Sequence, residues 1–171
     1  NWKLVLEAIY LCADKLSVPV IVKEVGAGIS PSNAKQLEQA GIKWIEVAGR
    51  GGTNWASIEY ARNQSDFEQQ VASPFLNWGM DTAKLLPAIS ANCPSLNLIG
   101  SGGVRDGLDI ARCIRLGACI TALAQPFLAP ALESTEAVIN KIAILKEQLR
   151  WAMFLTGSKD LEALKKAKLE E

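Results

Sequence analysis

At 171 residues, 49% hydrophobic and 21% charged, the chain has the size and composition of one globular domain, which excludes a disordered segment. Eighteen basic residues balance eighteen acidic ones, so no broad field is available to draw nucleic acid or an anionic membrane surface. There is no histidine, which removes the usual general acid/base and the commonest metal ligand.

The four cysteines, Cys12, Cys93, Cys113 and Cys119, form no CxxC pair and match no metal spacing. Three sit in apolar runs, and they read as small buried hydrophobes. Few cysteines, no signal peptide and no apolar run of about 18 residues predict a soluble cytoplasmic protein. The chain opens Asn1-Trp2-Lys3 straight into a helical pattern without a Met, which reads as a cut through a longer protein.

Val5, Ile9, Cys12 and Leu16 recur at helical spacing and predict an amphipathic helix over residues 2–16. Val18-Pro19-Val20-Ile21-Val22 reads as a buried parallel strand. Ser30-Pro31 is a helix N-cap and first position, and that helix closes at Gly41. Residues 42–47 predict a strand running into Gly49-Arg50-Gly51-Gly52-Thr53. Residues 53–76 read as an extended loop with short helical pieces, and 82–91 as a helix. Residues 96–99 predict a strand ending in Gly100-Ser101-Gly102-Gly103. Asp106 caps a helix through Leu116 that Gly117 stops. Residues 119–123 are the last predicted strand, followed by Ala124-Gln125-Pro126. Val138, Ile142, Leu145, Leu149 and Ala152 stripe a long final helix ended by Gly157, and Leu161 and Leu164 suggest a short terminal one.

Strict βα alternation predicts a parallel sheet with right-handed crossovers. Glycine-rich turns at successive strand ends favour a TIM (β/α)8 barrel, of which four strands supply half. An open doubly wound sheet is the alternative. No linker or second domain is visible, so residues 1–171 read as the C-terminal half of a single barrel domain.

Three segments carry chemistry. Gly100-Ser101-Gly102-Gly103-Val104-Arg105, with Ala124-Gln125, reads as an anion site, because consecutive main-chain N–H groups after a strand can converge on phosphate oxygens. The donors are Gly103, Val104, Ala124 and Gln125, with Arg105 beside them; the plain alternative is a tight turn with no ligand. Lys23 closes an apolar strand, where desolvation is costly unless the charge is used. Thr53, after three glycines, offers a hydroxyl to a polar ligand edge, and Trp55 reads as loop packing. Arg50 reads as solvated, Glu59–Arg62 as a surface pair, and Asp106 and Asp109 as helix capping. Glu46, unusual in a strand, reads as the partner of Lys23 or of another charge.

Val18-Pro19-Val20-Ile21-Val22-Lys23-Glu24-Val25-Gly26, Gly51-Gly52-Thr53-Asn54-Trp55 and Ser101-Gly102-Gly103-Val104-Arg105 together resemble the FMN-dependent (type 2) isopentenyl-diphosphate isomerases. Trp78-Gly79 and Met153-Phe154-Leu155-Thr156-Gly157 extend the resemblance to nearly the whole chain. It implies a TIM barrel with FMN at its C-terminal mouth, interconverting isopentenyl and dimethylallyl diphosphate with a nicotinamide reductant (NADPH) and Mg2+. Lys23 and Thr53 would contact the flavin; Gly103, Val104, Arg105, Ala124 and Gln125 would hold its phosphate. Reduced flavin would itself carry out the proton transfer, which suits a chain without histidine. Ala48 stands where the family often carries a flavin-contacting serine. The family's substrate-diphosphate residues, metal-binding glutamate and first four strands would precede Asn1, so no catalytic residue and no metal ligand is assigned. The competing readings are another FMN barrel, such as a 2-hydroxy-acid oxidase, which needs a histidine base, and a non-catalytic phosphate-binding half-barrel. Exposed sheet edges in a half-barrel predict self-association, a homo-oligomer, or association with the complementary half.

Overall fold

Four short apolar runs pair side by side into one parallel sheet: β1 (Ile21–Lys23), β2 (Trp44–Glu46), β3 (Asn97–Gly100) and β4 (Ile120–Thr121), in the order β1-β2-β3-β4. The structure is a computed structural model that describes residues 2–169; Asn1 lies outside them. Sequential strand order removes the doubly wound alternative, which needs a point where the order reverses. With right-handed crossovers it also puts the connecting helices on one face of the sheet. The architecture is half of a β/α-barrel.

The helices are α1 (Trp2–Lys15), α2 (Pro31–Gln39), α3 (Trp55–Arg62), α4 (Asp66–Ala72), α5 (Thr82–Asn92), α6 (Gly107–Arg115), α7 (Gln125–Glu133), α8 (Thr135–Leu155) and α9 (Leu161–Leu164). Their starts follow the capping rules. Ser30 accepts from the Asn33 N–H ahead of Pro31, Asp106 from that of Asp109, and Ser134 from that of Ala137. The 53–76 segment carries the short helical pieces expected of it, and they occupy most of its length. Asn54 caps α3, Ser65 caps α4, and a short 3-10 turn (Ser73–Phe75) follows. A separate α7 was not legible, because its two prolines and short apolar run carry no clear period. Pro126 sits at its N-terminal edge and Pro130 inside it.

Cross-strand partners share a face, so the register sorts the strand residues into layers. Val22, Ile45 and Leu98 form one layer toward the helices. With Leu85, Leu86 and Ile89 of α5 and Ala34 and Leu37 of α2 they make the main core. Lys23, Glu46, Ile99 and Ile120 form a layer on the opposite face. In a closed barrel that face is filled by side chains from alternate strands around the ring. Here β1 and β4 are edges. The run 18–22 is therefore not a buried strand: Val18 and Ile21 are 62% and 50% exposed, and the strand starts only at Ile21. The cysteines divide as well, with Cys93 and Cys113 buried and Cys12 and Cys119 exposed. Burial pushes the Cys113 thiol up to about 11, so it is inert at neutral pH.

Ile45 is fully buried in a central strand. Ile45→Ala is expected to lower unfolding free energy by about 2–5 kcal/mol, whereas Phe154→Ala, on an exposed ring, shifts it by less than about 0.5 kcal/mol. Urea denaturation of the two variants checks the contrast.

Candidate functional site

At the C-terminal ends of the strands the βα loops enclose a cleft of about 540 Å³. Lys23, Thr53, Gly103, Val104, Arg105, Ala124 and Gln125 all line it, drawn from four separate loops. That rim is where parallel β/α sheets place their ligands.

One end of the cleft is built of main chain. Among the described residues, no protein acceptor takes the N–H groups of Gly103, Val104, Ala124 or Gln125. Ala124 is the N-cap of α7 and Gln125 its first residue, so the start of that helix opens on the same space. Unused N–H groups and a helix N-terminus favour a multiply charged anion. Arg105 lines this end but is already engaged. Its Nε lies 3.1 Å from Asp109 Oδ2, and its main-chain N–H donates to the same oxygen. Asp109 also accepts from Arg112 at 3.0 Å. Burial raises its pKa, but the Arg105 and Arg112 guanidinium groups outweigh that and hold it below the usual carboxylate range. Asp109 is thus an ion-pair hub rather than a helix cap, while Asp106 does cap α6.

The other end is charged. Lys23 Nζ donates to the Glu24 carbonyl oxygen at 3.0 Å and stands 4.0 Å from Glu46 Oε1. The Glu24 carboxylate points elsewhere, as the alternation of a strand requires. Its Oε2 accepts the N–H groups of Gly26, Ala27 and Gly28 at 2.6, 2.5 and 2.8 Å. Burial pushes its pKa up, and the main-chain donors Gly28, Ala27, Gly26 and Val25 more than offset this, leaving it below the ordinary value. Glu24 fills a main-chain nest that would otherwise attract an outside anion. Thr53 and Trp55 border this end, and Trp55 is exposed rather than packed into the loop.

The rim is stitched together by residues 77–82. Met80 N–H donates to Ala27 O at 2.9 Å, and Arg50 N–H donates to Met80 O at 2.8 Å. Arg50 is not a free solvated cation: its Nε bonds Asp81 Oδ1 at 2.9 Å and its Nη1 bonds Asn77 O at 2.9 Å. Thr82 Oγ1 reaches Ser101 O at 2.7 Å and Gly102 O at 3.0 Å. Ser101 Oγ in turn accepts the Ala48 N–H at 3.0 Å, fixing Ala48 at a φ of 42°, a region that alanine rarely visits. The two glycine loops touch backbone to backbone. A Cβ on Gly102 would overlap Gly49, and one on Gly103 would overlap Gly51. These glycines permit loop-on-loop contact first, and only thereby ligand approach.

Glu24, Thr82, Asp81 and the start of α7 escaped the sequence reading. Their partners are main-chain atoms, which no side-chain pattern encodes, or residues tens of positions away. No cluster of His, Cys, Asp or Glu among the described residues is placed to hold a metal ion. No described helix is long and apolar enough to cross a membrane.

Residues 2–171 match the FMN-dependent dehydrogenase family model. The isopentenyl-diphosphate delta-isomerases of Stutzerimonas stutzeri and Cronobacter sakazakii are each 47% identical over 169 residues, which is 99% of this chain and 49% of either protein. The protein of that name from a Nostoc species is 42% identical over 165 residues, 96% of this chain and 47% of its own. The chain therefore spans about half the length of the curated relatives it matches. Among solved structures, a Pediococcus acidilactici protein described as a lactate oxidase superposes with a TM-score of 0.73 at 26% identity, covering 97% of this chain and 41% of that one. A mandelate oxidase superposes at 0.71 and 19% identity, covering 96% and 42%; at that identity the likeness is one of fold.

Because its folded pKa is lowered, Glu24 contributes stability that is present above the unfolded value of about 4.5 and lost as pH falls through the folded one. Glu24→Gln keeps an acceptor but removes the charge. At pH 7 it is expected to cost about 1 kcal/mol once solvent screening is discounted. Thermal melts from pH 7 to 3 check this. The gap between wild type and variant closes below pH 4.5 if the charge is what the nest holds, and stays constant if it is not.

Proposed function

Because the chain belongs to the FMN-dependent dehydrogenase family, we propose that its cleft holds FMN and that the intact protein interconverts isopentenyl and dimethylallyl diphosphate. The observation that carries the reading is the near full-length match of this chain to several isopentenyl-diphosphate isomerases at 42–47% identity. The cleft fits the cofactor. Four unused main-chain N–H groups and the start of α7 suit a phosphate, and a cation stands at the opposite end.

In this reading Gly103, Val104, Ala124 and Gln125 bind the FMN phosphate through their N–H groups. Arg105 lends positive charge beside it while remaining paired with Asp109. Lys23, steadied by Glu46 and by the Glu24 carbonyl, places its ammonium against the flavin ring. The Thr53 hydroxyl meets a polar ring edge. Ala48, where the resemblance implies a flavin-contacting serine, has no hydroxyl to offer. Bound reduced FMN would supply the proton-transfer chemistry, and these residues bind and orient it. NADPH as reductant, Mg2+ on the substrate diphosphate, a cytoplasmic location and homo-oligomerisation belong to the same proposal. Open edges at β1 and β4 support self-association or pairing with a complementary half-barrel. In the same proposal the residues that grip the substrate diphosphate and the metal would lie in a complementary half, and this chain would be the C-terminal, cofactor-binding one.

The oxidase reading is weaker. A 2-hydroxy-acid oxidase needs a histidine base at the barrel mouth, and the chain has none. A phosphate-binding half-barrel without catalysis shares every residue of the cleft, so activity must separate the two.

The intact protein is expected to isomerise isopentenyl diphosphate when given FMN, NADPH and Mg2+, and residues 1–171 alone to be inactive. Turnover by the 171 residues, or none by the intact protein, contradicts the assignment. Lys23→Ala in the intact protein is expected to weaken FMN binding or slow isomerisation about tenfold; an unchanged affinity and rate removes Lys23 from the site.

A further inference from the structure

We propose that Thr82 is a positioning residue for the anion end of the cleft. From behind the glycine loop, its hydroxyl aims the main-chain N–H of Gly103 at the bound phosphate. The proposal rests on the FMN reading above.

Thr82 is 7% exposed and does not line the cleft, whereas Gly102 and Gly103 do. Its Oγ1 lies 2.7 Å from the carbonyl oxygen of Ser101 and 3.0 Å from that of Gly102. In a planar trans peptide the C=O and N–H point in opposite directions. Holding the Gly102 carbonyl on the Thr82 side therefore turns the Gly103 N–H away from Thr82. The Ser101 carbonyl does the same for the Gly102 N–H. Gly102 and Gly103 have φ of +92° and +88°, and glycine alone sets no preference strong enough to hold one such arrangement. An outside clamp supplies the preference.

Thr82 is itself held. Its main-chain N–H reaches Arg50 O at 3.4 Å, and the residue before it, Asp81, is paired with the Arg50 guanidinium. The Arg50 Nη1 bond to Asn77 O draws the same segment tight. The Thr82 hydroxyl and main-chain N–H both already meet protein acceptors, so Thr82 acts on the ligand only through the loop. Its loss should be felt by a phosphate-bearing ligand and not by the same ligand without phosphate.

The test measures dissociation constants of FMN and of riboflavin, which lacks the phosphate, by flavin fluorescence in the intact protein. Thr82→Val keeps the shape and deletes the hydroxyl. FMN affinity is expected to fall about tenfold while riboflavin affinity stays within about twofold, and Thr82→Ser restores FMN binding. Arg50→Gln, at an exposed position, leaves the core intact and is expected to reduce the FMN-to-riboflavin preference in the same direction, by less. Equal losses for both flavins in Thr82→Val would mark a merely structural role and overturn the proposal. So would an unchanged preference in both variants. A wild-type protein that binds FMN no better than riboflavin fails the phosphate reading itself, which is a distinct result.

Discussion

The cleft depends on two glycine loops that lie backbone against backbone, with nothing larger than hydrogen between them. Gly102 rests on Gly49 and Gly103 on Gly51, so the ends of β2 and β3 are fixed relative to each other by contact rather than by side chains. That contact leaves the Gly103 N–H without a protein partner among the described residues. A main-chain donor is cheap to leave free only at a solvent-filled rim, because buried it would cost about 1–3 kcal/mol. The constraint that shapes the fold at this point is thus also what leaves donors available for an anion.

The remaining contacts hold that arrangement. Residues 77–82 bridge the loops after β1, β2 and β3, using main-chain bonds at Ala27 and Arg50 and the Thr82 hydroxyl at Ser101 and Gly102. Glu24 satisfies the first loop with its own carboxylate. A four-stranded sheet with two free edges has little to resist twisting. Fixing its loops at one end compensates where the function needs precision, while the core under α2 and α5 holds the other face.

Much of this was legible in the sequence, and the parts that were not share a cause. Alternating apolar runs and glycine stops placed all four strands within a few residues. The glycines after 100 and the Ala124-Gln125 pair line one cleft, a placement the sequence can suggest because backbone permissiveness at strand ends is a local property. Glu46 reads from sequence as the partner of Lys23 or of another charge, and it stands 4.0 Å from Lys23. Arg50 is exposed, as its sequence context suggests, but its pairing with Asp81, 31 residues on, is not legible locally. Trp55 was expected to pack and is exposed, because α3 begins there and turns its first residue outward. The 18–22 run was read as buried because its composition suits a central strand, but it borders a free edge.

The central claim is that these loops present a phosphate site made of main chain. A crystal structure of the intact protein with FMN tests it most directly. The account predicts phosphate oxygens within about 2.7–3.2 Å of the main-chain nitrogens of Gly103 and Gln125, with the flavin ring extending toward Lys23. A phosphate held elsewhere, or bound only by side chains, would contradict it.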